Sequence, residues 1–432
     1  MPRSRKKKTQ SSASSSTPSE NGANRKRQGC TVQVLYCILA LNVWISAKTG
    51  DFSQFKRKLG TIRWKQEPAP QQVVTNFDKP SDLLGSNATV QLPPPIVGVH
   101  RPDRDAVFAV ALGYTVQHLA RFVGSLVETG YTGDIVLGVL PEEHLDPTVR
   151  DFLSCHSGVN NNNEGAHVIA YGMDIVCRKF GRRTRCQAPR LYADSTTGDY
   201  IPDDRLPREI AQLRFEYYWA WLLQYSSKSR IFVADGRDVY FQRNPFELIP
   251  SDMDTTLYVF EEYSHPPLRH QNSNRLWIRA TRGMDVLNQI GDKTVLCSGT
   301  TVGGYSAMES YFRAMVQSFD ETQCLILGCD QGHMNYLVHT GRLLQNSTQI
   351  QHIEYGKQGS SLVNTLGLYA NEHKPLRAYG VLDNTTNQVL NFDGSVSPVV
   401  HQFDREEELK VIMEQRAEEL FQKWNESFHS SA

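Results

Sequence analysis

The sequence predicts an α/β fold built around a mostly parallel sheet. The first observation is a run of three segments. "AVFAVALGY" from Ala106, "TVQHLARFVGSLVETG" from Thr115 and "GDIVLGVL" from Gly133 read as strand, helix and strand. That spacing makes a βαβ unit, whose crossover demands parallel strands. The second is "RIFVA", Arg230 to Ala234, a short apolar run that reads as a buried strand. The third is the continued alternation of such runs with segments of helical periodicity down to the C-terminus.

Taken in order, the first helix stops at Gly130, a good helix terminator. Residues 155–205 carry "NNNN" at Asn160–Asn163 and read as irregular, a long insertion or a loop-rich cap. "PREIAQLRFEYYWAWLLQYS", Pro207 to Ser226, is helical with its proline near the start. "TTLYVFEE", "KTVLCSG" and "VSPVVHQFD" are further strands; "AMESYFRAMVQSF" and "HMNYLVHTG" are helices. "REEELKVIMEQRAEELFQKW" is a charged helix near the end. No internal repeat is visible.

The 432 residues are 40% hydrophobic and 21% charged, with balanced acids and bases. That is globular composition with no global attraction to nucleic acid, so none is expected as a partner. The balance hides an asymmetry: eight Lys/Arg face one Glu before Thr31. Residues 1–30, basic and Ser-rich, predict a disordered cytosolic tail. "TVQVLYCILALNVWISA", Thr31 to Ala47, follows directly and is apolar, at the short limit for a bilayer span. With the positive flank N-terminal, residues 31–47 read as an uncleaved signal anchor that sends the rest into a lumen. A cleaved signal peptide ending at Ala47 is the competitor. Residues 48–100, with "QEPAPQQ" and "QLPPP", read as a stem. A single lumenal domain is expected over 101–405, with a C-terminal helix and tail over 406–432.

N-glycosylation sequons stand at Asn87, Asn346, Asn384 and Asn425, all beyond the anchor. Cys155, Cys177, Cys186, Cys297, Cys324 and Cys329 also lie beyond it. Their pairing is not readable from sequence, although Cys177 with Cys186 would close the local loop "CRKFGRRTRC". No CxxC pair is present, which argues against zinc.

The strand "RIFVA" runs into Asp235, and Asp238 follows after Gly236 and Arg237. Ligands of parallel sheets bind beyond the carboxyl ends of strands. Two hard oxygen donors there suit Mn²⁺ or Mg²⁺ with phosphate oxygens. Asp-Gly is equally a hairpin signal, so these residues alone leave both readings open. Three further segments favour the metal. Gly299 follows an apolar strand, where a missing side chain lets a ligand near the backbone. Asp330 stands between a strand-like run and a helix, where it would otherwise cap the helix. His401 lies near the end of the last strand.

This constellation resembles the glycosyltransferases of the GT-A fold, which use nucleotide-sugar donors. The likeness covers roughly residues 103–405 and rests on the D-x-R-D-v-x-F-Q-x-x-P-F segment at Asp235, on Cys297-Ser298-Gly299, on Asp330-Gln331 and on His401. It departs from a strict D-x-D by one residue. The resemblance implies Asp235, Asp238 and His401 as ligands of Mn²⁺ or Mg²⁺. It implies Asp330 as the catalytic or acceptor-binding carboxylate, a base if the anomeric centre inverts and a charge stabiliser if it is retained. Donor binding, by a UDP- or GDP-sugar, would fall to Gly113, Tyr114, Arg214, Asp235, Arg237, Gly299 and Gln331. For Arg214 a surface position on its helix, and for Tyr114 simple packing, remain alternatives. The acceptor would be a glycan or glycoprotein hydroxyl, and the reaction of hexosyltransferase type. The basic head, anchor and stem are similar to those of type II Golgi enzymes, which implies a single-pass Golgi membrane protein. The second reading is a non-catalytic GT-A-like protein that binds a glycan or a partner. No HExxH, G-x-S-x-G or P-loop supports a hydrolase.

Overall fold

Strands that are apolar at every position must be covered on both faces, and such strands build the centre of this molecule. The structure, a computed structural model, describes residues 88–158, 165–180, 183–322 and 326–431. All of them fall within one compact unit, Gln71–Ala432.

In chain order the strands are β1 Ala88–Val90, β2 Ala106–Val110, β3 Asp134–Val139, β4 His167–Gly172, β5 Val176–Phe180, β6 Arg183–Gln187 and β7 Tyr192–Asp194. They continue with β8 Arg230–Ala234, β9 Val239–Phe241, β10 Thr256–Tyr263, β11 Val295–Gly304, β12 His352–Gly356, β13 Val363–Thr365 and β14 Val399–His401. The central sheet has seven strands in the order β12-β10-β11-β8-β2-β3-β4. All are parallel except β11, which runs against both neighbours. The mixed, mostly parallel sheet flanked by helices is the fold class the sequence predicts. A smaller sheet, β13-β14-β9, stands beside it.

The helices are α1 Val116–Leu119 and α2 Ser125–Glu128, joined by a π-helical turn Ala120–Gly124, then α3 Pro147–Cys155 and α4 Ile210–Leu222. After them come α5 Asn272–Ile290, α6 Tyr305–Thr322, α7 Cys329–His339, α8 Arg342–Gln345, α9 Gly367–Glu372 and α10 Glu407–Ser431. Alternate strand residues feed two cores. Phe108, Ile231 and Val233 pack against Phe215 and Trp221 of α4 and Tyr311 and Phe312 of α6. Val107, Phe232 and Leu137 pack against Leu119, Phe122, Phe152 and Leu420. Each such side chain stabilises the fold by roughly 1.5–3 kcal/mol. Strand bodies are thereby committed to packing, and only strand ends are free for chemistry.

The described part of 155–205 holds regular elements where an irregular insertion was expected. It contains β4, buried along its length as an edge of the central sheet, and the β5–β6 hairpin. "HVIAYG" has only a short apolar run to announce a strand beside an Asn-rich stretch. The expected Cys177–Cys186 disulfide is present, closing the hairpin. The strand "KTVLCSG" also runs on, through Gly299 to Gly304.

The placement as a single-pass Golgi membrane protein is corrected: no helix among the described residues is long and apolar enough to cross a membrane. The two longest, α5 and α10, carry charged and polar residues throughout. The run Thr31 to Ala47, on which that placement rested, lies outside the described residues, as does Asn87.

Candidate metal centre

Because β2, β3 and β8 are parallel, their carboxyl ends share one edge of the sheet. Asp235 is the first residue beyond β8. The Asp-Gly hairpin does not form: β9 leaves β8 and pairs with β14 instead, with Val239 opposite His401. That pairing is what brings together residues 163 or more apart in sequence. Asp235 Oδ2 lies 3.8 Å and Asp238 Oδ1 3.6 Å from His401 Nε2. One ligand atom from each residue falls within 4.8 Å of the others.

These separations are too long for hydrogen bonds. His401 is 1% exposed and its Nε2 is buried without a hydrogen-bond partner. What sets this nitrogen apart is that two carboxylate oxygens face it just beyond hydrogen-bond reach, leaving room for a shared partner between the three. Gly299 closes the other side. A Cβ there would lie 2.7 Å from Asp235 Oδ2 and 2.9 Å from His401 Nε2, so only glycine leaves the gap open. Two carboxylate oxygens and an imidazole nitrogen around such a gap fit a divalent cation of the Mn²⁺ type.

The surroundings are rich in carboxylates. Arg214 of α4 ion-pairs with Asp235 through Oδ1 and with Asp330 Oδ2 at 3.1 Å, and donates to the Ser298 carbonyl at 3.1 Å. Ser298 Oγ donates to Asp330 Oδ2 at 2.8 Å. Burial opposes the charge on Arg214, but the carboxylates outweigh it and hold the guanidinium well above its ordinary pKa. Burial pushes the Asp330 carboxyl up, against the pull of Arg214 and Ser298. At His401 burial alone would lower the pKa, and Asp238 and Asp235 carry it upward overall. Asp238 is raised by burial but brought below the usual carboxylate range by His401, Arg405 and Arg237.

The remaining predicted residues are placed as follows. Gln331 is buried beside Asp330; its Nε2 donates to Asn274 and its Oε1 faces the Ser298 amide at 3.5 Å. Asp330 lies in the first turn of α7, whose N-cap is Gly328, so it does not cap that helix. Arg237 points outward, 3.5 Å from Asp404. Tyr114 follows β2 and packs on the Asp235–Asp238 turn, close enough that a Cβ on Gly236 would touch its ring at 3.2 Å. Burial, then Asp235 and Asp238, raise its phenol pKa. Gly113 takes φ +69° at the mouth of a cleft of 520 Å³ lined also by Tyr114, Leu140, His144 and Asp146. Asn384 is exposed in a turn, while Asn346 and Asn425 are half-buried.

A supporting layer stands behind the site; the sequence marked Cys297 only as part of the strand-end motif, and sequence reasoning missed Gln402 and Glu262. Cys297 Sγ lies 3.6 Å from His401 Nδ1. Gln402, in left-handed backbone at φ 58°, donates to Glu262 Oε1 at 3.1 Å and through its amide to the Asp238 carbonyl at 2.8 Å. Burial raises the Glu262 carboxyl. The doubled acid ending "TLYVFEE" was the available signal for Glu262; nothing marks Gln402.

No family model matches the chain, and no curated protein matches it. Among solved structures, the chain is similar to the galactosyltransferase LgtC, crystallised with donor and acceptor sugar analogues, at 11% identity over 73% of this chain and 94% of that one, with TM-score 0.40. It is similar to the apo bifunctional glycosyltransferase WbbM at 10% identity over 72% and 47%, TM-score 0.41. A third is the glycosyltransferase GlyE of Streptococcus pneumoniae, 10% identical over 75% and 63%, TM-score 0.37.

Proposed function

We propose that the chain is a metal-dependent glycosyltransferase that moves a hexose from a nucleotide-diphosphate sugar to a glycan or glycoprotein hydroxyl. The observation that carries this reading is the orphaned His401 Nε2, facing two carboxylates across a gap kept open by Gly299. Asp235, Asp238 and His401 would hold the cation, Mn²⁺ or Mg²⁺. When bound, it supplies positive charge against the diphosphate that leaves when the anomeric bond breaks.

The chain's own residues do the rest. Arg214 is a fixed cation that holds Asp235 in place and leaves its Oδ2 free to ligate. Asp235, about one-third exposed, gives the centre its opening to solvent and donor. Tyr114 and Gly113 line the cleft at the ends of β2 and β3, suited to a nucleotide base. Asp330 and Gln331 stand one layer behind Ser298; Asp330 is the candidate carboxylate for the acceptor side, with its raised pKa suited to taking up a proton.

The test is calorimetric titration with UDP and GDP, with and without Mn²⁺. The expected outcome is nucleotide binding that requires the metal and is lost in Asp235→Ala/Asp238→Ala. Folded protein that binds neither nucleotide under any metal condition would overturn the reading for these donors.

A further inference from the structure

Arg121 touches both chain segments that supply the candidate metal ligands, yet it is not one of those ligands. It lies in the π-helical turn Ala120–Gly124, where Ala120 to Val123 are all buried. Such turns are common at functional sites. Ala120, Phe122 and Val123 join the core that holds Val107 and Leu137. Arg121, only 6% exposed, is the polar exception among them.

Arg121 Nη2 donates to the carbonyl of Arg237, inside the Asp235–Asp238 turn. The same guanidinium lies 4.9 Å from the centre of the Phe403 ring, two residues past His401. Ser125, one helical turn further on, accepts from the Phe241 amide at 3.3 Å. This face of the helix therefore holds the stretch that carries Asp238 at two points. Backbone bonds hold it elsewhere: the Asp235 amide donates to the Gly299 carbonyl and the Gln402 amide to the Asp238 carbonyl, both at 2.8 Å. The Arg237 carbonyl belongs to the peptide that leads into Asp238. That peptide is planar, so holding its oxygen also holds the Asp238 nitrogen.

A guanidinium buried against a carbonyl and a ring loses hydration without a bonded countercharge. Burial accordingly lowers its pKa, against the pull of nearby groups that include Tyr114 and Asp238. A methionine of similar length would pack on Phe403 without that cost. Packing alone does not explain an arginine here; its donor and its charge do.

We infer that Arg121 is a positioning residue of the metal centre, fixing the Asp238 carboxylate against the segment that carries His401. The inference rests on the metal-binding part of the proposed function. Arg121 acts through Asp238 and through Phe403, not on the cation itself.

The test is EPR of Mn²⁺ added to the full chain, with and without UDP, for wild type, Arg121→Met and Arg121→Lys. Unfolding midpoints are measured on the same samples. Met keeps the packing on Phe403 and removes donor and charge; Lys keeps the charge and a donor but not the planar fork. Folded Arg121→Met is expected to bind Mn²⁺ about tenfold less tightly, within the usual cost of losing a supporting contact. The spectrum of its bound ion should differ from that of the wild type, and Arg121→Lys should fall between the two. A purely structural role would lower the unfolding midpoint and leave affinity and spectrum unchanged, and that result would overturn the inference. If Arg121→Met does not fold, Arg121→Lys decides: weaker binding with an altered spectrum supports the role, and wild-type values overturn it. Mn²⁺ binding that is weakened in the variants but indifferent to UDP would sink the glycosyltransferase reading and leave the positioning role standing. UDP-dependent Mn²⁺ binding that is equal in all three proteins would do the reverse. A wild type that binds no Mn²⁺ would sink both.

Discussion

Arg214 and Glu216 sit two residues apart on α4, both buried, and they build opposite kinds of cluster. Two positions apart on a helix, they face different sides. Glu216 is surrounded by Arg208, Arg205 at 2.9 Å and the Tyr192 hydroxyl at 2.6 Å. Asp203 and Asp320 complete both guanidiniums. Every charge there has its partner inside the protein. Arg214 instead pairs with Asp235 and Asp330, and beyond them Asp235 and Asp238 face a buried imidazole nitrogen that has no hydrogen-bond partner. A closed cluster fixes the fold. An open one asks for a cation from outside.

That contrast can be broken by substitution. Glu216→Ala would remove the buried carboxylate that Arg205 and Arg208 share, breaking two buried ion pairs at once. We expect a loss of roughly 3–5 kcal/mol of stability by denaturant unfolding, with metal-dependent nucleotide affinity unchanged in the folded protein. Asp238→Ala should do the reverse. Its loss of a direct ligand should weaken that affinity about 100-fold or more, beyond the effect of losing a supporting contact, while stability falls by less than it does in Glu216→Ala. If Asp238→Ala unfolds the chain and leaves affinity intact, the two clusters have been assigned the wrong way round.

Gly299→Ala sharpens the comparison inside the open cluster. Its methyl would collide with His401 and Asp235, so affinity for Mn²⁺-dependent UDP binding should fall about tenfold, or 1.4 kcal/mol. The smallest effect is a pH dependence that belongs to neither cluster. Burial lowers both His100 and His339 to about 4. Their folded pKa values lie below the unfolded value of about 6.5, so the stability they contribute is complete above that value and is lost as pH falls toward 4. Each should cost about 1 kcal/mol between pH 6.5 and 5.5, measured as a falling unfolding midpoint. Replacement of both by Gln should flatten that slope.

The fold was legible where a strand or helix was long and uniformly apolar: β2, β3, β8 and α4 all announce themselves. β4 did not, because six residues beside an Asn-rich stretch look like any loop. In the site, Asp235 and Asp238 could be proposed from their place after a strand, but the choice between hairpin and metal turn needed the pairing of β9 with β14. That pairing joins segments about 160 residues apart, and local propensity carries no trace of it. Gln402 and Cys297 act through contacts that only the folded chain creates.

The central claim is that Asp235, Asp238 and His401 hold one cation. EPR titration of Mn²⁺ in the presence of UDP, following the free-ion signal, tests it most directly in wild-type, Asp238→Ala and His401→Gln protein. The account predicts that the wild type depletes the signal by a single equivalent and that both variants lose this. Depletion that persists unchanged in the variants, or none by the wild type, would contradict it.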